Sequence, residues 1–158
     1  MASSIWLVNA VGVVRGFDEE RFIKPKQSHE TFAFAPALTN AAIARLTRTA
    51  GGMREPLFFF MHYLDPHAPY NRGSHRGSEF ARYLGEVRYV DRELGRLIKA
   101  LAQAGLSKRT VLIVTSDHGE AFGEHRTRFH GATLYDEVMR VPLFVSMPGI
   151  RPRRVDQP

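Results

Sequence analysis

The run Thr110-Val111-Leu112-Ile113-Val114-Thr115-Ser116-Asp117-His118-Gly119-Glu120 constrains this chain most. Six mostly β-branched, apolar residues end abruptly in a carboxylate, an imidazole and a glycine. A short, continuously apolar run suits a strand buried on both faces of a parallel sheet. In open α/β sheets, ligands and metals gather just beyond the carboxyl ends of such strands. Asp117 and His118 sit at that point, and adjacent O and N donors on a turn can both reach one divalent ion.

A second apolar run, Leu57-Phe58-Phe59-Phe60-Met61, follows Pro56 and has the look of another buried strand. It also ends in polar residues, His62, Asp65 and His67, with Pro66 and Pro69 stiffening the turn. Between the two runs, Phe80, Leu84, Val87, Leu94, Leu97, Ile98 and Leu101 recur at three- and four-residue steps. That period predicts a long helix from an N-cap at Ser78 to about Gln103, with Gly105 where a C-terminal glycine belongs. Thr39 is expected to cap an earlier helix through Ala41, Ala42, Ile43, Ala44 and Leu46, stopped by Gly51-Gly52. Residues 15–38 read as irregular surface structure. Ile5 to Val14 reads as a strand or internal segment, since it is too short to span a bilayer and lacks the basic region of a signal peptide. A short helix at Leu134–Met139 and a last apolar run, Val141 to Met147, complete the pattern. Strands alternating with helices predict an α/β fold, a mostly parallel sheet flanked by helices.

The 158 residues suffice for one ordinary core, and 44% hydrophobic with 24% charged residues is a globular composition. The absence of cysteine excludes disulfides, thiolate metal sites and a cysteine nucleophile within this chain. The net charge of +6 favours anionic ligands. The arginines are scattered, and the one basic cluster, Arg151-Pro152-Arg153-Arg154, is a tail, so no nucleic-acid partner is expected.

Five of the seven histidines follow the two predicted strands: His62 and His67, then His118, His125 and His130. A metal held by Asp117 and His118, beside imidazoles able to donate to an oxyanion, suits hydrolysis of a charged ester.

Three segments carry a family resemblance. His62-Tyr63-Leu64-Asp65-Pro66-His67-Ala68-Pro69-Tyr70 resembles the sulfatase segment in which a histidine contacts the sulfate. Thr110 to Glu124, with Ser-Asp-His-Gly followed by Gly-Glu-His, resembles the segment that supplies two metal ligands. His130-Gly131-Ala132-Thr133-Leu134-Tyr135-Asp136-Glu137, then Arg140-Val141-Pro142-Leu143, resembles the stretch from which a lysine or histidine also reaches the sulfate. The match is good over about residues 55–149 and loose over residues 1–54. It implies the alkaline-phosphatase-like fold, Asp117 and His118 as metal ligands, and His67 and His130 as sulfate or phosphate contacts. His125 and Asp65 would be supporting or structural, and Tyr135, Asp136, Glu137 and Arg140 would hold the following strand.

The metal implied is one divalent ion, calcium first, with magnesium, manganese or zinc as alternatives. The imidazole of His118, where many sulfatases have asparagine, tilts the chemistry slightly toward a transition metal. The implied partner is a sulfate, phosphate or phosphonate ester, as a small molecule or a glycan. The family's consecutive aspartates and its Cys-x-Pro-x-Arg or Ser-x-Pro-x-Arg nucleophile segment do not occur in this sequence. The expectation is therefore a partial catalytic domain over residues 1–158, without its nucleophile and first metal-ligand segment, and inactive alone. A phosphonate monoester or phosphodiester hydrolase of the same superfamily is the neighbouring reading, and a non-catalytic remnant the third. An incomplete sheet would leave apolar edges exposed, so a poorly soluble or oligomeric chain is expected.

Overall fold

The computed structural model describes Met1 and residues 15–25, 34–49, 51–52, 55–72 and 76–156. The expected strand at Ile5 to Val14 lies outside these residues. The chain forms two compact units, Met1–Leu106 and Ser107–Pro158.

The first unit is built on two packed helices, α1 (Ala35–Thr49) and α2 (Glu79–Gln103). Helix α2 follows its sequence signals closely. The Ser78 hydroxyl accepts the Ala81 N–H at 3.2 Å, and Gly105, at φ +70°, turns the chain after the last helical carbonyls. Its buried stripe is Glu86, Glu93, Leu97 and Leu101, so two carboxylates lie in register with the leucines. Leu97 and Leu101 pack with Ala42 and Leu46 of α1 and with Leu106, and Phe59 and Met61 close the cluster from the side.

Helix α1 begins four residues before the expected cap. Thr39 lies inside it, fully buried, and its hydroxyl donates to the Ala35 carbonyl at 2.9 Å while also pairing with the Tyr63 hydroxyl at 2.8 Å. A carboxylate from elsewhere satisfies the helix start. Asp65 Oδ2 accepts the Ala35 N–H at 2.8 Å. Residues 57–61 form no strand ladder among the described residues. They have no regular secondary structure, and the Met1 ammonium and carbonyl bond the Phe60 carbonyl and His62 N–H at 2.6 and 3.0 Å.

The second unit carries β1 (Leu112–Thr115), β2 (Ala121–Phe122), β3 (Arg128–Phe129), α3 (Asp136–Met139) and β4 (Leu143–Ser146). The α/β class stands, but the strand pairing described here is antiparallel, β1 with β4 and β2 with β3. The connection from β1 to β4 explains the direction. It holds a two-residue-strand hairpin and a four-residue helix, without the long crossover helix that a parallel return needs. Nor is β1 buried on both faces. Ile113 is 61% exposed, and all four residues of β4 are exposed.

A candidate metal and oxyanion site at the end of β1

The chain leaves β1 through Ser116 into a turn stiffened by its own side chains. Ser116 Oγ donates to the His118 carbonyl, and Asp117 Oδ1 accepts the His118 N–H at 3.0 Å. The next residue has to be small. Gly119 donates its N–H to the Val138 carbonyl at 2.6 Å, and a Cβ at this position would collide with the Glu137 carbonyl. The strand end is thereby pinned to α3 by backbone alone.

This turn sets the Asp117 and His118 side chains next to each other. His118 Nδ1 lies 2.7 Å from the Gly119 carbonyl oxygen, which requires a proton on Nδ1 and leaves Nε2 as the ring's electron-pair donor. His118 Nε2 and Asp117 Oδ2 are 3.8 Å apart. That is too long for a hydrogen bond, but two bonds of about 2.0–2.5 Å to one cation would span it. Asp117 is 72% exposed, so its carboxylate is open to a ligand. A carbonyl holding the second ring nitrogen is the usual support for a metal-binding histidine. No cluster of three histidine, aspartate or glutamate ligands forms among the described residues, so the pair offers two ligands at most.

His130 joins them from the loop after β3. Its ring stacks on His118, centroids 3.8 Å apart and planes inclined by 27°. Its Nδ1 meets Glu120 Oε1 at 3.0 Å, and the Glu120 side chain is only 8% exposed. A nearly buried carboxylate on one ring nitrogen fixes the ring orientation. Both imidazoles line one wall of a cleft of about 330 Å³, completed by Gly131, Ala132, Thr133, Leu134, Val138 and Met139.

His125 stands apart from this group. Its Nδ1 pairs with Glu137 Oε1 at 2.9 Å, and its ring stacks on Tyr135 at 3.9 Å. The His125 hydrogen bond holds the Glu137 carboxyl below its ordinary range. The pair ties the loop between β2 and β3 to the helix that supports Gly119.

His67 belongs to the first unit, in an exposed position on the turn that follows residues 57–61. Its Nδ1 meets the Ala68 carbonyl at 2.8 Å. The turn is held from below by Glu86 of α2, whose two carboxylate oxygens accept the His67 and Arg72 N–H groups at 3.1 and 3.0 Å. Tyr70, fully buried and edge-on to Tyr83, anchors its far end. Asp65 is buried just before the turn, and desolvation pushes its carboxyl up to about 6 despite the Ala35 hydrogen bond that opposes the shift.

Of the four expected site residues, Asp117, His118 and His130 thus come together in the second unit, and His67 is presented by the first. Glu86 and Glu120, the carboxylates that fix the His67 turn and the His130 ring, are not among the expected site residues. Glu86 did leave a signal, because it lies seven residues before Glu93 and in register with Leu97 and Leu101.

The Sulfatase family model matches residues 12–158. Among curated relatives, an endo-4-O-sulfatase of Bacteroides thetaiotaomicron is 43% identical over 74 residues, covering 47% of this chain and 15% of its own length. An uncharacterized sulfatase, YidJ, of Escherichia coli is 26% identical, covering 90% of this chain and 37% of its own. The chain thus spans well under half the length of these relatives. Two solved structures share the fold. A lipoteichoic acid synthase, LtaP, of Listeria monocytogenes superposes with a TM-score of 0.66 at 19% identity, over 87% of this chain and 39% of its own. An alkaline phosphatase superfamily protein of Vibrio parahaemolyticus gives 0.63 at 20% identity, over 96% and 38%. With a family match over nearly its whole length, and the Ser-Asp-His-Gly turn at the end of β1, this chain belongs to the sulfatase family.

Proposed function

We propose that this chain supplies metal and oxyanion contacts for hydrolysis of a sulfate ester. The observation that carries the reading is the Asp117–His118 pair, two donors 3.8 Å apart, with His130 stacked against it. Asp117 Oδ2 and His118 Nε2 would hold one divalent cation, with calcium the first choice. Such an ion supplies Lewis acidity toward an ester oxygen and orients the attacking group. His130, its ring set by Glu120, donates to an oxygen of the anion, and the His67 imidazole, carried on its own turn in the first unit, is a donor of the same kind. A hydrogen bond from an imidazole N–H to an oxyanion is strengthened by the charge on the acceptor. The sequence holds no cysteine and no Ser-x-Pro-x-Arg segment, so the chain alone is expected to bind metal and anion without turning an ester over.

A second reading rests on His118 itself. An imidazole suits manganese or zinc better than calcium, which takes oxygen ligands. Under that reading the ester is a phosphonate monoester or a phosphodiester.

Calorimetric titration of the purified chain with calcium, manganese and zinc tests both. One saturable cation site, weakened in Asp117→Ala and in His118→Ala by more than the roughly tenfold to hundredfold that loss of a supporting residue alone costs, is the expected result. A clear preference for manganese or zinc favours the second reading. Cation binding that neither substitution alters would overturn the site assignment.

A further inference from the structure

His125 stands outside the group at the end of β1, yet its contacts lead back to it. Its backbone lies in the left-handed region, at φ +49° and ψ +26°, and Arg126 follows at φ +59°. Non-glycine residues persist there only when their surroundings hold them. Glu124 supplies that support. Its Oε2 accepts the Phe122 N–H at 2.6 Å, and its carbonyl accepts the Thr127 N–H and hydroxyl, each at 2.9 Å. The loop so fixed sets the His125 imidazole against α3 at two points, stacking on Tyr135 and bonding Glu137 Oε1 at 2.9 Å.

A helix of four residues has too few internal bonds to hold itself, so its outside contacts decide where it sits. Tyr135 caps α3, and its carbonyl accepts the Val138 and Met139 N–H groups at 2.9 Å. Glu137 and Val138 present successive carbonyls to Gly119, the first packed against its α-carbon and the second accepting its N–H. The Gly119 carbonyl in turn holds His118 Nδ1 at 2.7 Å. An unbroken series of contacts thus joins the His125 ring to the His118 ring. Resting on the metal reading above, we propose that His125 and Glu137 are positioning residues for the cation site. By pressing α3 onto Gly119, they keep the His118 proton on Nδ1 and leave Nε2 free for the ion. Loss of such outer support ordinarily weakens metal binding roughly tenfold to a hundredfold.

Two substitutions separate the two contacts of His125. His125→Asn offers an amide N–H to Glu137 without the ring, whereas His125→Phe keeps a ring on Tyr135 without the hydrogen bond. Ring-nitrogen NMR of the metal-free full chain reads the His118 tautomer, at about pH 8 where ordinary imidazoles are neutral. Wild type and His125→Asn are expected to show Nδ1 alone protonated, and His125→Phe a mixture of both tautomers. Calorimetric titration with manganese chloride should give an affinity about tenfold lower in His125→Phe and recovered in His125→Asn. Glu137→Ala should match His125→Phe in both readouts, and it carries the test if His125→Phe does not fold. The double variant should lose no more than either single one, because residues acting as one unit do not add. A lower melting temperature with an unchanged His118 tautomer would make the pair merely structural and overturn the proposal. A tautomer shift in a chain whose wild type binds no cation would overturn the metal reading and leave the link to His118 in place.

Discussion

The Glu137 carbonyl oxygen occupies the space that a Cβ on Gly119 would need, so the turn after β1 and helix α3 meet there backbone to backbone. Val138 reinforces the contact by accepting the Gly119 N–H at 2.6 Å. Substitution Gly119→Ala forces a methyl group against backbone, which cannot swing aside like the end of a side chain. The expected cost is about 2–3 kcal/mol, at the upper end of ordinary overpacking. Because Gly119 follows His118 directly, the His118–His130 stack should loosen too. Thermal denaturation reads the first effect and ring-proton shifts of both histidines the second. A variant with wild-type melting and unshifted rings would show that α3 does not support the turn.

Glu86 poses a sharper question, since one side chain satisfies two backbone donors. At 1% exposure, its oxygens accept from His67 and Arg72, the two ends of the turn that presents the His67 imidazole. In Glu86→Gln the remaining amide oxygen can serve one of those N–H groups, while the NH₂ faces the other as donor against donor. Glu86→Ala loses both. A graded loss of stability is expected, about 1–2 kcal/mol for glutamine and about 3 kcal/mol or more for alanine, by unfolding in denaturant. The His67 ring resonances should broaden or shift in the same order. Equal stability of all three proteins would mean that the turn holds itself.

How far the sequence could be read depends on whether each signal was local. Helix α2 was legible at both ends because its cap, its period and its terminal glycine all lie within the segment. The start of α1 was not, because its cap is Asp65, thirty residues away. Thr39 has the chemistry of a cap, yet inside the helix its hydroxyl bonds the carbonyl four residues back. The antiparallel return of β4 was also hidden, since pairing direction depends on what the intervening loop can reach. At the candidate site, the proximity of Asp117, His118 and His130 was legible from their motif. Glu86 and Glu120 were not, because acids on a helix or in a loop ordinarily face water, and burial alone gives these their roles.

The face of the β1–β4 pair bearing Ile113, Thr115, Leu143 and Val145 predicts self-association. Ile113 stands directly opposite Val145 in the ladder, and Ile113, Leu143 and Val145 are 61%, 67% and 53% exposed. Open apolar area on a short sheet favours association. The chain is expected to elute above its monomer mass at micromolar concentration. The double substitution Leu143→Thr and Val145→Thr, which places polar, β-branched residues of high strand propensity at both positions, should shift it toward monomer. A monomeric wild-type chain would show that this face does not drive association.

Asp65 links the His67 turn to pH. Its carboxyl is raised from 3.8 to about 6, first by burial and then by the nearby Glu86 charge, against the opposing Ala35 hydrogen bond. Between those two values the folded protein holds a proton at Asp65 that the unfolded chain has released. Stability therefore declines as pH rises through this window and levels off above it. The full effect is on the order of 2–3 kcal/mol. Asp65→Asn keeps an oxygen to accept the Ala35 N–H and cannot ionise. Its stability relative to wild type should grow as pH increases from about 4 to about 7. Glu86→Gln should shrink this window by removing the neighbouring charge, so the Asp65 dependence should move to lower pH in that background. Denaturant unfolding of the four proteins at several pH values reads both effects. A wild-type-minus-Asn difference that stays constant across the range would place the Asp65 carboxylate in a more solvated setting than its 4% exposure implies.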